Sequence, residues 1–193
     1  MKEQNAMAVD NTVARSLHDV GLAAWFGGSL MGAVGLNRVA GAAKKPRQRL
    51  EVANKGWAAW TPVNLAGIGA HLAGGAVLLA ANKGRLASQP GVGRAAAAKT
   101  ALTAAALAAT AYSRVLGRKL EQASTAPVQD ATTPADETPA EVSRPQRQLQ
   151  ALQWIIPALT GAVLVVNARM GEQQRPAQVA GGLLGRLRPG RAA

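Results

Sequence analysis

A chain of 193 residues that is 48% hydrophobic but only 3% aromatic lacks the large ring anchors on which a soluble core of this size is usually built. Its net charge of +12 and pI of about 11.4 point to a polyanionic partner, either nucleic acid or anionic lipid. It has no cysteine, which excludes disulfides, thiolate metal sites and cysteine nucleophiles.

The placement of the charge separates the two partners. Nucleic-acid binders carry basic residues across a folded surface. Here Lys and Arg are expelled from four apolar blocks and collect between them. The expected partners are therefore the lipid bilayer and its anionic headgroups, met through Lys/Arg loops, with no nucleic acid. The expected location is the cell (plasma) membrane, with a multi-pass topology.

Residues 1–19 form a polar lead-in, in which Asp10 or Asn11 is placed to cap a helix starting near Thr12. The first apolar block, 20–37, is uncharged over 18 residues, the usual length of a spanning helix. Ala40-Gly41-Ala42 looks like a leader-cleavage site, but Glu3, Asp10 and Asp19 precede the block, so an uncleaved helix is expected. Gly28 and Gly32 make a GxxxG step, a device for close helix approach.

A basic loop, 38–55, follows, with Pro46 expected to stop the helix before it. Residues 56–82 are uncharged over 27 positions, which as a helix extend about 40 Å against the ~30 Å of a hydrocarbon core. A short interfacial helix over 47–60 is expected, then Thr61 as N-cap and Pro62 as the first residue of the second crossing. Trp57 and Trp60 would then sit at headgroup level as interface anchors. Ala66, Ala70 and Gly74, spaced by four, are expected to pack against another helix, as are Gly28 and Gly32.

A short basic loop, 83–94, contains Pro90-Gly91 as a turn signal. Block three, 95–116, is alanine-rich and carries Lys99, which must snorkel if the block spans; Tyr112 marks its far end as an anchor. The segment 117–147 mixes Pro, Thr, Asp and Glu without an apolar period and reads as a disordered linker. Block four, 148–168, has Trp154 near its start as an anchor and Pro157 inside it, where a kink is expected. Residues 169–193 form a basic tail, expected to be flexible. The fold class is thus all-α: a polytopic four-helix transmembrane bundle with a disordered linker between helices 3 and 4. Landmarks shared by the two halves, Asn37-Arg38-Val39 with Ser113-Arg114-Val115 and Trp60-Thr-Pro62 with Trp154-Ile-Ile-Pro157, hint at a repeated hairpin.

No nucleotide loop, nucleophile elbow or zinc-protease motif is present, and no carboxylate lies inside an apolar block. No enzymatic activity, cofactor or metal is expected. His71, nine residues into the helix that begins at Pro62, is the one ionisable residue deep in a crossing, with Asn64 as its nearest polar companion. His71 and Asn64 are the candidate mid-membrane polar site; the plainer reading is a neutral imidazole hydrogen-bonded to a neighbouring helix. His18 is expected at a different depth, which disfavours a paired-histidine haem site. Of two functional readings, the first is the expected function and the second the alternative. One is a structural or accessory component that packs on a membrane-protein partner or a second copy. The other is a small-molecule transporter or channel built around His71.

At Gly21-Leu-Ala-Ala-Trp25-Phe-Gly-Gly-Ser-Leu-Met-Gly-Ala-Val-Gly-Leu36 and at Gly91-Val-Gly-Arg-Ala-Ala-Ala-Ala-Lys-Thr100, the chain resembles uncharacterised four-helix membrane proteins of actinobacteria. The preference for Arg over Lys, 15 to 7, fits that resemblance. It implies the four-helix architecture and carries no catalytic or binding motif.

Overall fold

The computed structural model describes residues 11–84 and 90–172. Helix α1 (Thr12–Met31) continues through a π turn (Gly32–Leu36), an α turn (Asn37–Val39) and a 3-10 turn (Ala40–Ala42); α2 is Pro46–Ala81, α3 is Pro90–Gln122 and α4 is Ala140–Glu172. Among the described residues there is no β-strand, only an isolated bridge between Val128 and Pro134. Most of the flexible tail expected at 169–193 and the start of the lead-in lie outside the described residues.

Three helical stretches are long and apolar enough to cross a membrane: Thr12–Ala42, Pro46–Ala81 and Ala140–Gly171. α3 is not among them. Its 33 residues suffice in length, but alanine contributes little hydropathy, and Arg94, Lys99, Arg114 and Arg118 dilute it further.

Contacts fix an up-down-up-down order. Gly74 of α2 meets Ala14 and His18 of α1, whereas Trp57 meets Gly32, so α1 and α2 are antiparallel. Asn37 pairs with Gln153 and His18 approaches Asn167, so α4 also opposes α1. His18–Lys99 and Trp25–Thr110 contacts make α3 parallel to α1. The closest packing is within the two hairpins, α1 on α2 and α3 on α4, and α1 also packs on α4. The shared core is Leu22, Trp25, Ile68, Ala106, Ile156 and Val163, drawn from all four helices.

The α1–α2 seam is set by glycine. A methyl group on Gly21 would lie 2.6 Å from His71 N and closer still to Gly67 O; one on Gly74 would lie 2.7 Å from His18 N and closer to Ala14 O. Only hydrogen fits there, so the two backbones touch. Nearer the hairpin turn glycine serves bulk instead: Gly28 lies under the Trp60 indole, Gly32 under Trp57 and Gly56 under Leu36. Gly28, Gly32 and Gly74 therefore face another helix, although the first two meet rings and not backbone. Ala66 is exposed and Ala70 only half-buried. Steps of four advance about 40° beyond a full turn, so Ala66 has drifted about 80° from Gly74. The seam instead alternates steps of three and four through Trp60, Asn64, Gly67, His71 and Gly74, as antiparallel helices require. Trp57 and Trp60, expected to reach headgroups, turn inward for the same reason; Trp154 and Tyr112 remain outward, 45% and 47% exposed.

Proline departs from the expectation most clearly at Pro62. Pro46 opens α2, where the missing N–H costs nothing, and the described part of α3 begins at Pro90, within the expected turn Pro90-Gly91. Pro62 lies inside a continuous α2; Thr61 caps no helix, and its Oγ1 donates to Trp57 O at 2.7 Å. α4 likewise runs on through Pro145 and Pro157.

The stretch read as a disordered linker is folded, and this is the largest correction. Val128 packs with Leu50, Leu120 and Val142, and Ala131 with Ala40 and Ala53, so residues 123–139 cap the α1–α2 turn. The Asp130 carboxylate accepts from Thr132 N (2.8 Å), Thr133 N (2.7 Å) and Thr133 Oγ1 (2.9 Å). Arg49 donates to Val128 O at 3.0 Å and to Ala43 O at 3.1 Å, tying cap to turn. Thr138 Oγ1 donates to Pro127 O and accepts from Ala135 N. Composition failed as a guide because a few apolar residues suffice when helix ends already provide the wall and side chains satisfy the backbone.

Gly21→Ala and Gly74→Ala are each expected to lower stability by about 1–3 kcal/mol in detergent. Gly69→Ala, with open space at its Cβ, is expected to be neutral or stabilising; thermal unfolding reads all three. Limited proteolysis should spare residues 123–139 in the native chain. Asp130→Ala is expected to make that stretch the first one cut.

Candidate functional site

The two hairpins meet mainly through α1 and α4, while α2 and α3 touch at few points. Among the described residues, the space left between them includes two chambers stacked along the bundle. One, of about 680 Å³, lies toward the ends of the bundle where α1 begins; the other, of about 400 Å³, lies toward the folded cap.

The larger chamber is lined by His18, His71, Asp19, Lys99 and Asn167, among others. The antiparallel seam brings the two histidines together, with ring centroids 4.2 Å apart and planes tilted by 41°. Both are almost fully buried, at 2% and 3% exposure. His71 Nδ1 donates to His18 O at 3.0 Å, because a backbone carbonyl can only accept. His18 Nδ1 donates to the Asp19 carboxylate at 2.9 Å for the same reason, which leaves His18 Nε2 to accept from Lys99 Nζ at 3.4 Å. These hydrogen bonds assign the tautomers of both rings. Among the described residues no three His, Asp or Glu side chains converge as a metal site.

The smaller chamber has aromatic walls, Trp25, Trp57 and Trp60, and a polar relay at one side. Asn37 Oδ1 accepts from Trp57 Nε1 and Asn37 Nδ2 donates to Gln153 Oε1, both at 2.9 Å, joining α1, α2 and α4. The π turn just before Asn37 admits an extra residue and rotates it inward. Arg114 pairs with Glu121 at 2.6 Å on the α3 wall. Asn64 Oδ1 is buried without a hydrogen-bond partner among the described residues.

Trp25 separates the chambers. It is 1% exposed, its Nε1 donates to Thr110 Oγ1 at 3.1 Å, and its ring meets His71 edge-on at 6.3 Å.

The expected pair, His71 and Asn64, is thus divided between two chambers, with two helical turns and the Trp25 partition between them. His71 bonds a backbone carbonyl and not a Thr, Ser or Asn side chain. It also lies level with His18, against the expectation of different depths, and beside the charged Asp19 and Lys99. Sequence reasoning missed His18, Trp25, Asn37, Gln153 and Asn167 as site residues. The signal for the first two was present: Ala14, His18, Gly21, Trp25, Gly28 and Gly32 follow the alternation of three and four that marks a seam.

Comparison with family models, with curated proteins and with solved structures returns no match. The site is therefore read from its own chemistry.

Asn37→Ala leaves Trp57 Nε1 and Gln153 Oε1 without partners and is expected to cost about 1–3 kcal/mol in thermal unfolding. Trp154→Ala, at an outward position, is expected to change stability far less when measured in detergent.

Proposed function

We propose that the chain is a multi-pass protein of the cell membrane with four crossings, and that it binds a small solute in the chamber around His71 as a carrier or channel does, without an enzymatic step. One observation carries this reading: a bundle whose role was only to pack would close its interior, whereas here all four helices line a chamber of about 680 Å³ with buried polar side chains. α3 completes the set of crossings because Lys99, its charge within the apolar block, turns inward onto His18 and away from lipid. The outer surface supports a bilayer as surroundings: Val20, Val34, Leu65, Val77, Val115 and Val165 are all exposed.

The Lys and Arg residues of the two hairpin turns face anionic headgroups in this reading. Counted within about 15 residues of the apolar blocks 20–37, 56–82, 95–116 and 148–168, basic residues lean towards cytoplasmic hairpin turns by 11 to 7, and four crossings place both termini on one side. The sparse α2–α3 contact favours a second reading, an accessory component that accepts a partner helix or a second copy at that seam.

The absence of native cysteine gives a clean test. Thr103→Cys places one thiol on the chamber wall and is expected to react with a small hydrophilic thiol reagent in intact membranes. A thiol there that stays unlabelled would refute the solute chamber. Reporter fusions after residues 19 and 175 are expected to report the same side; opposite sides would mean an odd number of crossings.

A further inference from the structure

We propose that the chamber around His71 is an anion site, which takes a phosphate group bearing a neighbouring hydroxyl, with Lys99 as its counter-charge. The proposal rests on the reading of that chamber as a solute site and adds the chemical class of the solute.

Lys99 is half-buried, and its ammonium has no carboxylate within 4 Å; the ion pairs among the described residues are His18–Asp19, Lys55–Glu51 and Arg114–Glu121. Its one hydrogen-bond partner is His18 Nε2, a neutral acceptor, at 3.4 Å. A cation facing a largely apolar interior without a direct ion pair, its nearest carboxylate Asp19 acting only at longer range, is costly, and an anion in the chamber lowers that cost. The carboxylate on the same wall, Asp19, is engaged by His18 and points largely to the outside, its side chain 55% exposed. Arg15 lines the same chamber and adds positive charge.

The neighbouring amide and imidazole narrow the class. Asn167 Nδ2 lies 3.5 Å from His18 Nδ1, but that nitrogen already donates to Asp19 and cannot accept. The Asn167 amide is therefore a donor available to a ligand. His71 donates through Nδ1, so its Nε2 is an acceptor, and it has no partner among the described residues. Two donors and one acceptor match a group with anionic oxygens and one O–H. Inorganic phosphate, a phosphorylated small molecule and a phosphatidylglycerol headgroup share this chemistry. The chamber is larger than phosphate alone, which leaves room for the remainder of either kind of organic ligand.

The test uses the full chain in nanodiscs. In one arm the discs are pure phosphatidylcholine and inorganic phosphate is titrated; in the other, phosphatidylglycerol replaces part of the lipid and no phosphate is added. Thermal stability is the readout, with the chain's summed tryptophan emission as a second, Trp25 being the tryptophan whose ring meets His71. At least one arm is expected to raise Tm: a response to phosphate identifies a free anion, and a response to phosphatidylglycerol alone identifies a headgroup. Lys99→Gln is expected to weaken the response about tenfold or more, Lys99→Arg to retain it, and Asn167→Ala to weaken it a few-fold. Lys55→Gln, at an exposed site at the other end of the bundle, is expected to leave it unchanged. If neither arm moves the native chain, or a folded Lys99→Gln responds as the native chain does, the proposal is overturned. Should Lys99→Gln fail to fold by circular dichroism, Asn167→Ala decides in its place, and an undiminished response there overturns the proposal. Labelling of Thr103→Cys with no response in either arm removes the anion while leaving the solute chamber intact.

Discussion

Two places where only hydrogen fits between α1 and α2, at Gly21 and Gly74, set the register of the first hairpin. With the backbones in contact at both, the helices cannot slide, because a shift of even one residue drives a Cβ into a carbonyl. That register puts His18 beside His71 and stacks Trp57 and Trp60 over Gly32 and Gly28. Much of the interior follows from it. Trp25 falls between the two groups and reaches Thr110 on α3, so one residue both belongs to the core and divides the chambers.

The second hairpin is joined to the first by different means. α4 reaches α1 through Asn37–Gln153 and through Phe26 packed on Gly161. α3 makes its deepest polar contacts across the bundle, through Thr110 to Trp25 and Lys99 to His18. Because α2 and α3 lack a small-residue seam of their own, they stand apart, and the chambers occupy the space between them. The folded cap closes this arrangement at the hairpin turns. Gln146, wholly buried, donates to the carbonyls of Asp130 and Ala131, and Ala131 N donates to Asn37 O, so α1, α4 and the cap converge beside the π turn.

Several local rules gave way to this packing. Thr61-Pro62 is a sound helix start in isolation, yet α2 passes through it. A helix packed along α1 loses less by forgoing one hydrogen bond than by breaking its seam, and Thr61 bonds the carbonyl one turn earlier. A π turn at Gly32–Leu36 has no signature in composition, and it is the feature that brings Asn37 inside. Residues 123–139 have the composition of a disordered segment and fold against apolar helix ends that composition does not reveal.

Legible in the sequence were the all-helical class and apolar blocks long enough to span a membrane, although hydropathy suggested four such blocks where three of the described helices meet that standard. These follow from hydropathy and from the period of a single helix, which depend on residues near one another along the chain. Tertiary structure alone decided which residues form the site. Asn64 and His71 are seven residues apart on one helix and end in separate chambers; His18, Lys99 and Asn167 are up to 149 positions apart and meet. Side chains from different helices share a level only once register is set, and register depends on how two whole surfaces interlock, which no one stretch of sequence contains.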